Sequence, residues 1–334
     1  MSRIFLTFSA PARANYYRDG PLTALRGLAG VAVNALDRPL DTRELIEAAR
    51  DCDIIVADRE TPGTAELFSN SPQLVAFVRC AVDIRNVDVA AASANGILVS
   101  RAGPGFVASV AEWVIGVMID SSRGITDAAL AYRAGQPVLP RMGRELRQAT
   151  LGVIGYGSIG RYLCELALAF GMRVVVTDPA VTVTDARIWQ TSLAQMLSES
   201  DFVVCLAPAN AQTANLMNAS SFAQMKRGAC FINAARGELV DDAALKQALA
   251  DGHLAGCALD VGRAPDQMPS RELAAHPKVI ATPHIGGLTP PAVDYQASET
   301  VAQVAAIVQG RVPEGAVNAE HARRLASLAG SGRS

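Results

Sequence analysis

Two side chains in this 334-residue sequence combine useful chemistry with a useful setting. His284 ends a short apolar run in Thr282-Pro283-His284-Ile285-Gly286-Gly287, and Arg236 ends another in Asn233-Ala234-Ala235-Arg236-Gly237. A guanidinium can grip a carboxylate at two points and polarise a carbonyl beside it. An imidazolium can give that carbonyl oxygen a proton as a hydride reaches its carbon. Side by side, the two suit the reduction of a 2-oxo acid or the reverse oxidation. The remaining histidines read as surface residues: His253 and His276 fall in turns, and His321 lies near the C-terminus.

Such chemistry needs a hydride carrier. Gly155-Tyr156-Gly157-Ser158-Ile159-Gly160 follows an apolar run and opens a helical pattern, and Asp178 lies eighteen residues after Gly160 at the end of the next apolar run. In this arrangement Gly155 makes the tight turn and Gly157 lets the backbone approach a pyrophosphate. Gly160 lets helix and strand pack closely, and the helix N-terminus faces the negative charge. A carboxylate at Asp178 would accept a hydrogen bond from a ribose 2′-OH and repel a 2′-phosphate, which favours NAD over NADP.

The elements that must position these groups alternate regularly. Leu151–Ile154, Arg173–Thr177, Phe202–Leu206, Ala229–Asn233, Gly256–Asp260 and Val279–Thr282 are apolar runs without polar alternation. Parallel strands buried on both faces have this signature. Helical patterns at Ile159–Phe170, Ser221–Arg227 and Asp242–Ala250 separate them, predicting a doubly wound parallel sheet. A weaker alternation fills the first hundred residues. Its expected strands are Arg3–Phe8, Asp53–Val56, Leu74–Val78 and Ile97–Val99, with helices at Pro21–Leu28 and Thr42–Ala49. One long helix is expected over Val107–Tyr132 and another over Ala292–Val308. The tail after Leu328 is Ser/Gly-rich and reads as disordered. The fold expected is α/β, with two doubly wound parallel-sheet domains. A dinucleotide-binding domain of Rossmann type, residues 104–287, is inserted into a flavodoxin-like substrate domain made of 1–103 and 288–334.

The dinucleotide motif together with Asn-Ala-Ala-Arg-Gly-Glu-Leu-Val-Asp (233–241) and Thr-Pro-His-Ile-Gly-Gly (282–287) resembles the D-isomer-specific 2-hydroxyacid dehydrogenase family. Val110-Ala111-Glu112 and Leu259-Asp260-Val261 add to the resemblance, which runs from about residue 50 to 320. It implies that Arg236 holds the substrate carboxylate and that His284 is the acid/base. It places Asp260 near the nicotinamide carboxamide, with Gly286, Ala234 and Ala235 also against the cofactor. Ala207, Pro208 and Thr213 would touch the cofactor from the loop after the third run. Cys80-Ala81-Val82-Asp83 would offer backbone N–H groups to the substrate, and the helix after Val107 would build a homodimer interface.

The sequence departs from the family pattern in three places. The Glu that normally pairs with the His is replaced by Pro265, and Asp266 beside it is the candidate substitute. Ala207 stands where many relatives carry His. The loop Ala81-Val82-Asp83-Ile84-Arg85-Asn86-Val87-Asp88 is longer than usual. Arg59, Arg79, Arg85 and Arg101 end apolar runs or sit close by, and surface placement is the expectation for each. Arg59 is the preferred candidate for holding a second anionic group of the substrate.

Composition removes other classes. Thirty Lys+Arg against 32 Asp+Glu give a net charge of -2, not the basic footprint of a nucleic-acid binder. The six cysteines are scattered without a CxxC pair, so neither a disulfide framework nor a metal site is expected. No run reaches the length of a membrane span, and a cytoplasmic protein is the expectation. Two alternatives stay open: an NAD-sensing binding protein with little turnover, and the same fold acting on formate or an amino acid.

Overall fold

The buried apolar runs become the strands of two separate parallel sheets. The computed structural model describes residues 2–264 and 266–329. Residues up to Gly105 together with those from Pro290 form one compact unit, and Phe106–Thr289 form the other.

The first unit runs β1 (Arg3–Leu6), α1 (Ala10–Tyr16), α2 (Asp19–Leu28), β2 (Gly30–Val33), α3 (Thr42–Ala48), β3 (Ile54–Ala57), α4 (Ala65–Ser69), β4 (Ala76–Arg79), α5 (Val89–Ala94) and β5 (Leu98–Arg101). Its strands pair in the order β2-β1-β3-β4-β5, all parallel. Side chains alternate between two apolar layers: Ile4, Leu6, Val56 and Val78 on one face, Phe5, Ile55, Phe77 and Val99 on the other.

The second unit runs α6 (Val107–Arg123), α7 (Ile125–Arg133), β6 (Thr150–Ile154), α8 (Ser158–Ala169), β7 (Arg173–Thr177), β8 (Ile188–Gln190), α9 (Leu193–Glu199), β9 (Phe202–Cys205), α10 (Ala219–Gln224), β10 (Cys230–Asn233), α11 (Asp242–Ala250), β11 (Gly256–Leu259), α12 (Arg271–Ala274) and β12 (Val279–Ala281). Seven parallel strands lie in the order β12-β11-β10-β9-β6-β7-β8. Every residue of β6, β9 and β10 is buried, as a sheet covered by helices on both faces requires. The order reverses at β6, whose neighbours β9 and β7 continue in opposite directions; ligands of doubly wound sheets bind at such a point.

The chain then returns to the first unit as α13 (Pro290–Ile307) and α14 (Ala326–Ala329). Within that unit the return is fixed by buried hydrogen bonds: Tyr17 to Thr300 (3.0 Å), Ser100 to Gln303 (2.8 Å) and the Val99 N–H to Asn318 (2.7 Å).

The helix expected over Val107–Tyr132 is two helices. Gly124 sits between them at φ 63°, ψ 40°, a left-handed conformation that ends a helix at little cost for glycine. The Asp120 carboxylate then accepts the Thr126 N–H at 2.8 Å and starts α7. Two strands, β2 and β8, were not expected. The stretch after residue 329 of the expected disordered tail lies outside the described residues.

Candidate active site

The strand order of the second unit lines up the residues singled out above. Read from β12 to β7, the carboxyl ends of successive strands carry His284, Asp260, Arg236, Ala207, Gly155 and Asp178. Neighbouring strands lie about 4.8 Å apart, so residues far apart in sequence become a contiguous row.

At β6 the turn is built for backbone approach. Gly155 adopts φ 100°, and a Cβ there would lie 2.9 Å from the Ala207 nitrogen. A Cβ at Gly160 would lie 2.3 Å from the Gly155 oxygen, so only glycine lets α8 start this close to the turn. A Cβ at Gly157 would meet no atom within 4 Å, and no side chain caps α8. The N–H groups of Ser158 and Ile159 thus head a helix with room for a phosphate in front of it. Tyr156 is buried, with the Arg161 guanidinium 4.6 Å from its ring centre.

Asp178 is held rigidly. One carboxylate oxygen accepts the Tyr156 N–H at 2.7 Å, tying β7 to the glycine turn. The other accepts the N–H groups of Ala180 (2.8 Å) and Val181 (3.1 Å). Carboxylate oxygens keep further lone pairs for a ribose hydroxyl. No cation occurs in Pro179–Val183 to receive a 2′-phosphate. Dinucleotide cradle and acidic partner therefore fit NAD.

The loop after β9 is pinned by its own side chains. The Thr213 hydroxyl donates to the Pro208 carbonyl (2.7 Å) and accepts the Asn210 N–H (2.9 Å). Ala207 lies buried against Gly155.

The loop after β10 carries half-buried Arg236 in extended conformation, φ -151°. Buried Asn233 accepts the Ala235 N–H at 3.1 Å and donates to the Arg236 carbonyl at 2.9 Å, fixing the backbone on both sides of Ala234 and Ala235. One Arg236 nitrogen donates to the Ala235 carbonyl at 2.7 Å.

Asp260, 4% exposed, has both carboxylate oxygens committed to the turn after β12. One accepts the Thr282 hydroxyl (2.6 Å) and the Ile285 N–H (2.8 Å), the other the Gly286 N–H (2.7 Å). His284 lies inside that turn, half-buried at φ 56°. This brace was missed in the sequence because its donors lie 22 to 26 residues beyond the acceptor. Asp266 is exposed and accepts the Met268 N–H at 3.0 Å; Pro265 beside it lies outside the described residues.

In the first unit the expected substrate residues follow β3 and β4. Cys80 and Ala81 are buried, and the Val82 carbonyl accepts from Arg101 at 3.1 Å. Arg85 forms a two-point ion pair with Asp83, 2.9 Å at its closest. Arg59 is exposed on the loop after β3.

Arg79, expected at the surface, is wholly buried. Its guanidinium donates to the carbonyls of Asp58 and Thr61 (2.8 Å for the latter) and to Asn86 (2.7 Å). It thereby joins the loops after β3 and β4, and burial pulls its pKa down to about 10. The remaining histidines have local partners: His253 bonds the Met225 carbonyl, His276 accepts the Lys278 N–H, and His321 pairs with Glu320.

Residues 115–286 match the family model described as D-isomer specific 2-hydroxyacid dehydrogenase, NAD binding domain. The sequence is also 33% identical over 253 residues to hydroxypyruvate reductase of Thermotoga maritima, a match covering 75% of this chain and 83% of that protein. The chain belongs to the D-isomer-specific 2-hydroxyacid dehydrogenase family. Its cofactor is NAD, bound by the second unit. D-3-phosphoglycerate dehydrogenase of Rattus norvegicus is 34% identical over 286 residues, 84% of this chain but 53% of that enzyme, so the chain spans about half the length of several relatives it matches. Among solved structures, a Thermus thermophilus protein superposes with a TM-score of 0.85 at 30% identity, covering 94% of this chain and 99% of that one. D-2-hydroxyisocaproate dehydrogenase superposes with a TM-score of 0.82 at 25% identity, covering 95% and 100%.

Proposed function

We propose that this protein is an NAD-dependent dehydrogenase interconverting a small 2-oxo acid and its D-2-hydroxy acid. The observation that carries the reading is the placement of Arg236, Asp260 and His284 at the carboxyl ends of three adjacent strands, β10, β11 and β12, of the NAD-binding sheet.

Arg236 grips the substrate carboxylate and draws electron density from the adjacent carbonyl. Protonated His284 gives its proton to the carbonyl oxygen, which becomes the hydroxyl; in the oxidation it takes that proton back. NADH held at the glycine turn would supply the hydride that C2 receives. Asp260 keeps the His284 turn in place, and Asp266 stands in for the missing Glu as the histidine's carboxylate partner. Asp178 holds the adenosine ribose, and Gly155–Gly160 the pyrophosphate, while Ala207, Pro208, Thr213, Ala234, Ala235 and Gly286 line the cofactor. Cys80, Ala81 and Val82 present N–H groups to the substrate, and Arg59 holds a second anionic group where the substrate has one.

We further propose a homodimer. The segment from α7 onward exposes Ile125 (52%), Leu130 (56%), Tyr132 (71%), Leu139 (80%) and Met142 (101%), apolar side chains that a second copy would cover. A cytoplasmic location is consistent with six cysteines that are all buried and unpaired.

The test is NADH consumption with glyoxylate, hydroxypyruvate, pyruvate, 2-oxoglutarate and bulkier 2-oxo acids, beside His284→Gln and an NADPH control. Turnover that depends on one acid and vanishes in His284→Gln supports the reading. NADH binding without turnover of any acid would favour the NAD-sensing alternative.

A further inference from the structure

Arg263 contacts the backbone on which Arg236 is mounted, from a different loop. It lies four residues beyond the end of β11, after Gly262. Its Nε donates to the Val240 carbonyl at 2.9 Å. One terminal nitrogen donates to Val240 (2.5 Å), to the Glu238 carbonyl (3.2 Å) and to the Asn215 side chain. The same two stretches are joined by backbone: the Asn215 N–H reaches Glu238, Met217 reaches Leu239 and Asp241 reaches Met217, each at 2.9 Å.

The backbones of the two loops also lie in direct contact. A Cβ on Gly237 would sit 2.1 Å from the Gly262 carbonyl carbon and 2.5 Å from the Arg263 nitrogen. The residue immediately after Arg236 therefore rests on the residues immediately before and at Arg263. Upstream, Asn233 fixes the Arg236 carbonyl at 2.9 Å. The Arg236 backbone is thus anchored on one side by Asn233 and on the other by the Gly237 contact and the Arg263 fork.

We infer that Arg263 is a positioning residue that sets where Arg236 presents its guanidinium to the substrate carboxylate. The inference rests on the dehydrogenase reading above. A planar fork with donors on separate nitrogens can hold three acceptors on two stretches of chain at once, whereas a lysine ammonium offers one charged point. Asn215 follows Thr213 and is not itself among the residues assigned to the cofactor.

The experiment compares wild type, Arg263→Ala, Arg263→Lys, Arg236→Lys and the double variant Arg263→Ala/Arg236→Lys with the best 2-oxo acid. Loss of charge-assisted hydrogen bonds at the mount of a binding group should raise KM for the acid about tenfold, with a smaller change in kcat. Arg263→Lys should fall between, and the NADH Kd, measured by fluorescence, should stay within about twofold. The double variant should be no worse than Arg236→Lys alone, because Arg263 acts only through that side chain. An unchanged KM in folded Arg263→Ala, or losses that simply add in the double variant, would overturn the inference and leave Arg263 a scaffold residue. If Arg263→Ala does not fold, Arg263→Gln carries the same two outcomes. Absence of turnover by the wild type would remove the dehydrogenase reading itself, and is visible before any variant is compared.

Discussion

A carboxylate oxygen of Asp260 accepts the backbone N–H of Gly286 at 2.7 Å, two residues beyond the histidine proposed to move the proton. With its bonds to Thr282 and Ile285, Asp260 closes the turn around His284, which sits in a left-handed conformation, φ 56°, that non-glycine residues adopt uncommonly. Asp260→Asn offers one acceptor oxygen where three donors converge. The expected result is a fall of about a hundredfold in kcat/KM and a loss of about 2 kcal/mol in stability, from the energy of hydrogen bonds to a charged group. Steady-state kinetics and urea unfolding measure both. Wild-type kcat/KM in the variant would mean that the turn holds itself.

Asp178 ties the glycine turn to β7 and is the proposed ribose acceptor. Asp178→Ala should weaken NADH binding by about tenfold and reduce the preference for NADH over NADPH, because a hydrogen bond is lost and a repulsive charge removed. Fluorescence titration with both cofactors reads the change. An unaltered cofactor ratio would place selectivity elsewhere.

Much of this site was legible because of how parallel sheets are buried. Strands covered on both faces must be apolar throughout, so β7 matches its expected bounds and β6, β9, β10, β11 and β12 differ by one residue. The strand ends then point to Arg236 and His284, whereas Asp260 was singled out through the family resemblance. The edge strands β2 and β8 carry no such signal. The first alternates exposed and half-buried residues, and the second has one buried residue in three. The break at Gly124 was hidden because apolar residues continue past it, but those of α7 are not buried in this chain. Arg79 was misread because the carbonyls that receive its terminal nitrogens come from a loop about twenty residues upstream. Arg263 likewise declares its role only through partners 23 to 48 residues away.

The stand-in role proposed for Asp266 has a pH signature. A carboxylate near an imidazolium favours the protonated ring, and reduction requires that form. In Asp266→Asn the high-pH limb of kcat/KM for reduction should move to lower pH by up to about one unit. A superimposable pH profile would exclude Asp266 from the proton step.

The buried thiols make a separate prediction. Burial pushes Cys80, Cys164 and Cys205 up to about 12 and Cys230 up to about 11. The folded chain keeps protons that the unfolded chain releases near pH 9, so the contribution to stability is full below pH 9 and is lost as pH rises through 11 to 12. Native protein should therefore react slowly with a thiol reagent at pH 8, and urea unfolding should expose all six cysteines to it. The unfolding midpoint should fall between pH 9 and 10.5, less steeply in Cys205→Ala. Rapid labelling of the native protein would contradict the burial.

Inside the second unit the Ser109 and Thr289 hydroxyls meet at 2.6 Å, joining the residues by which the chain enters and leaves it. The first unit is interrupted by the 184 residues between Gly105 and Pro290. Closing so long a loop in an unfolded chain costs roughly 4–5 kcal/mol of entropy. A second unit that folds first, from one continuous stretch, brings its own entry and exit together and removes most of that cost before α13 reaches the first sheet. Folding during synthesis then has a direction: all five strands β1 to β5 emerge first, but α13, whose Ala297, Val304 and Ile307 cover one face of their sheet, reaches it only after the inserted unit has emerged. Pulse proteolysis of refolding protein would show this as protection of Phe106–Thr289 ahead of β1–β5, and simultaneous protection of both would argue for a single cooperative step.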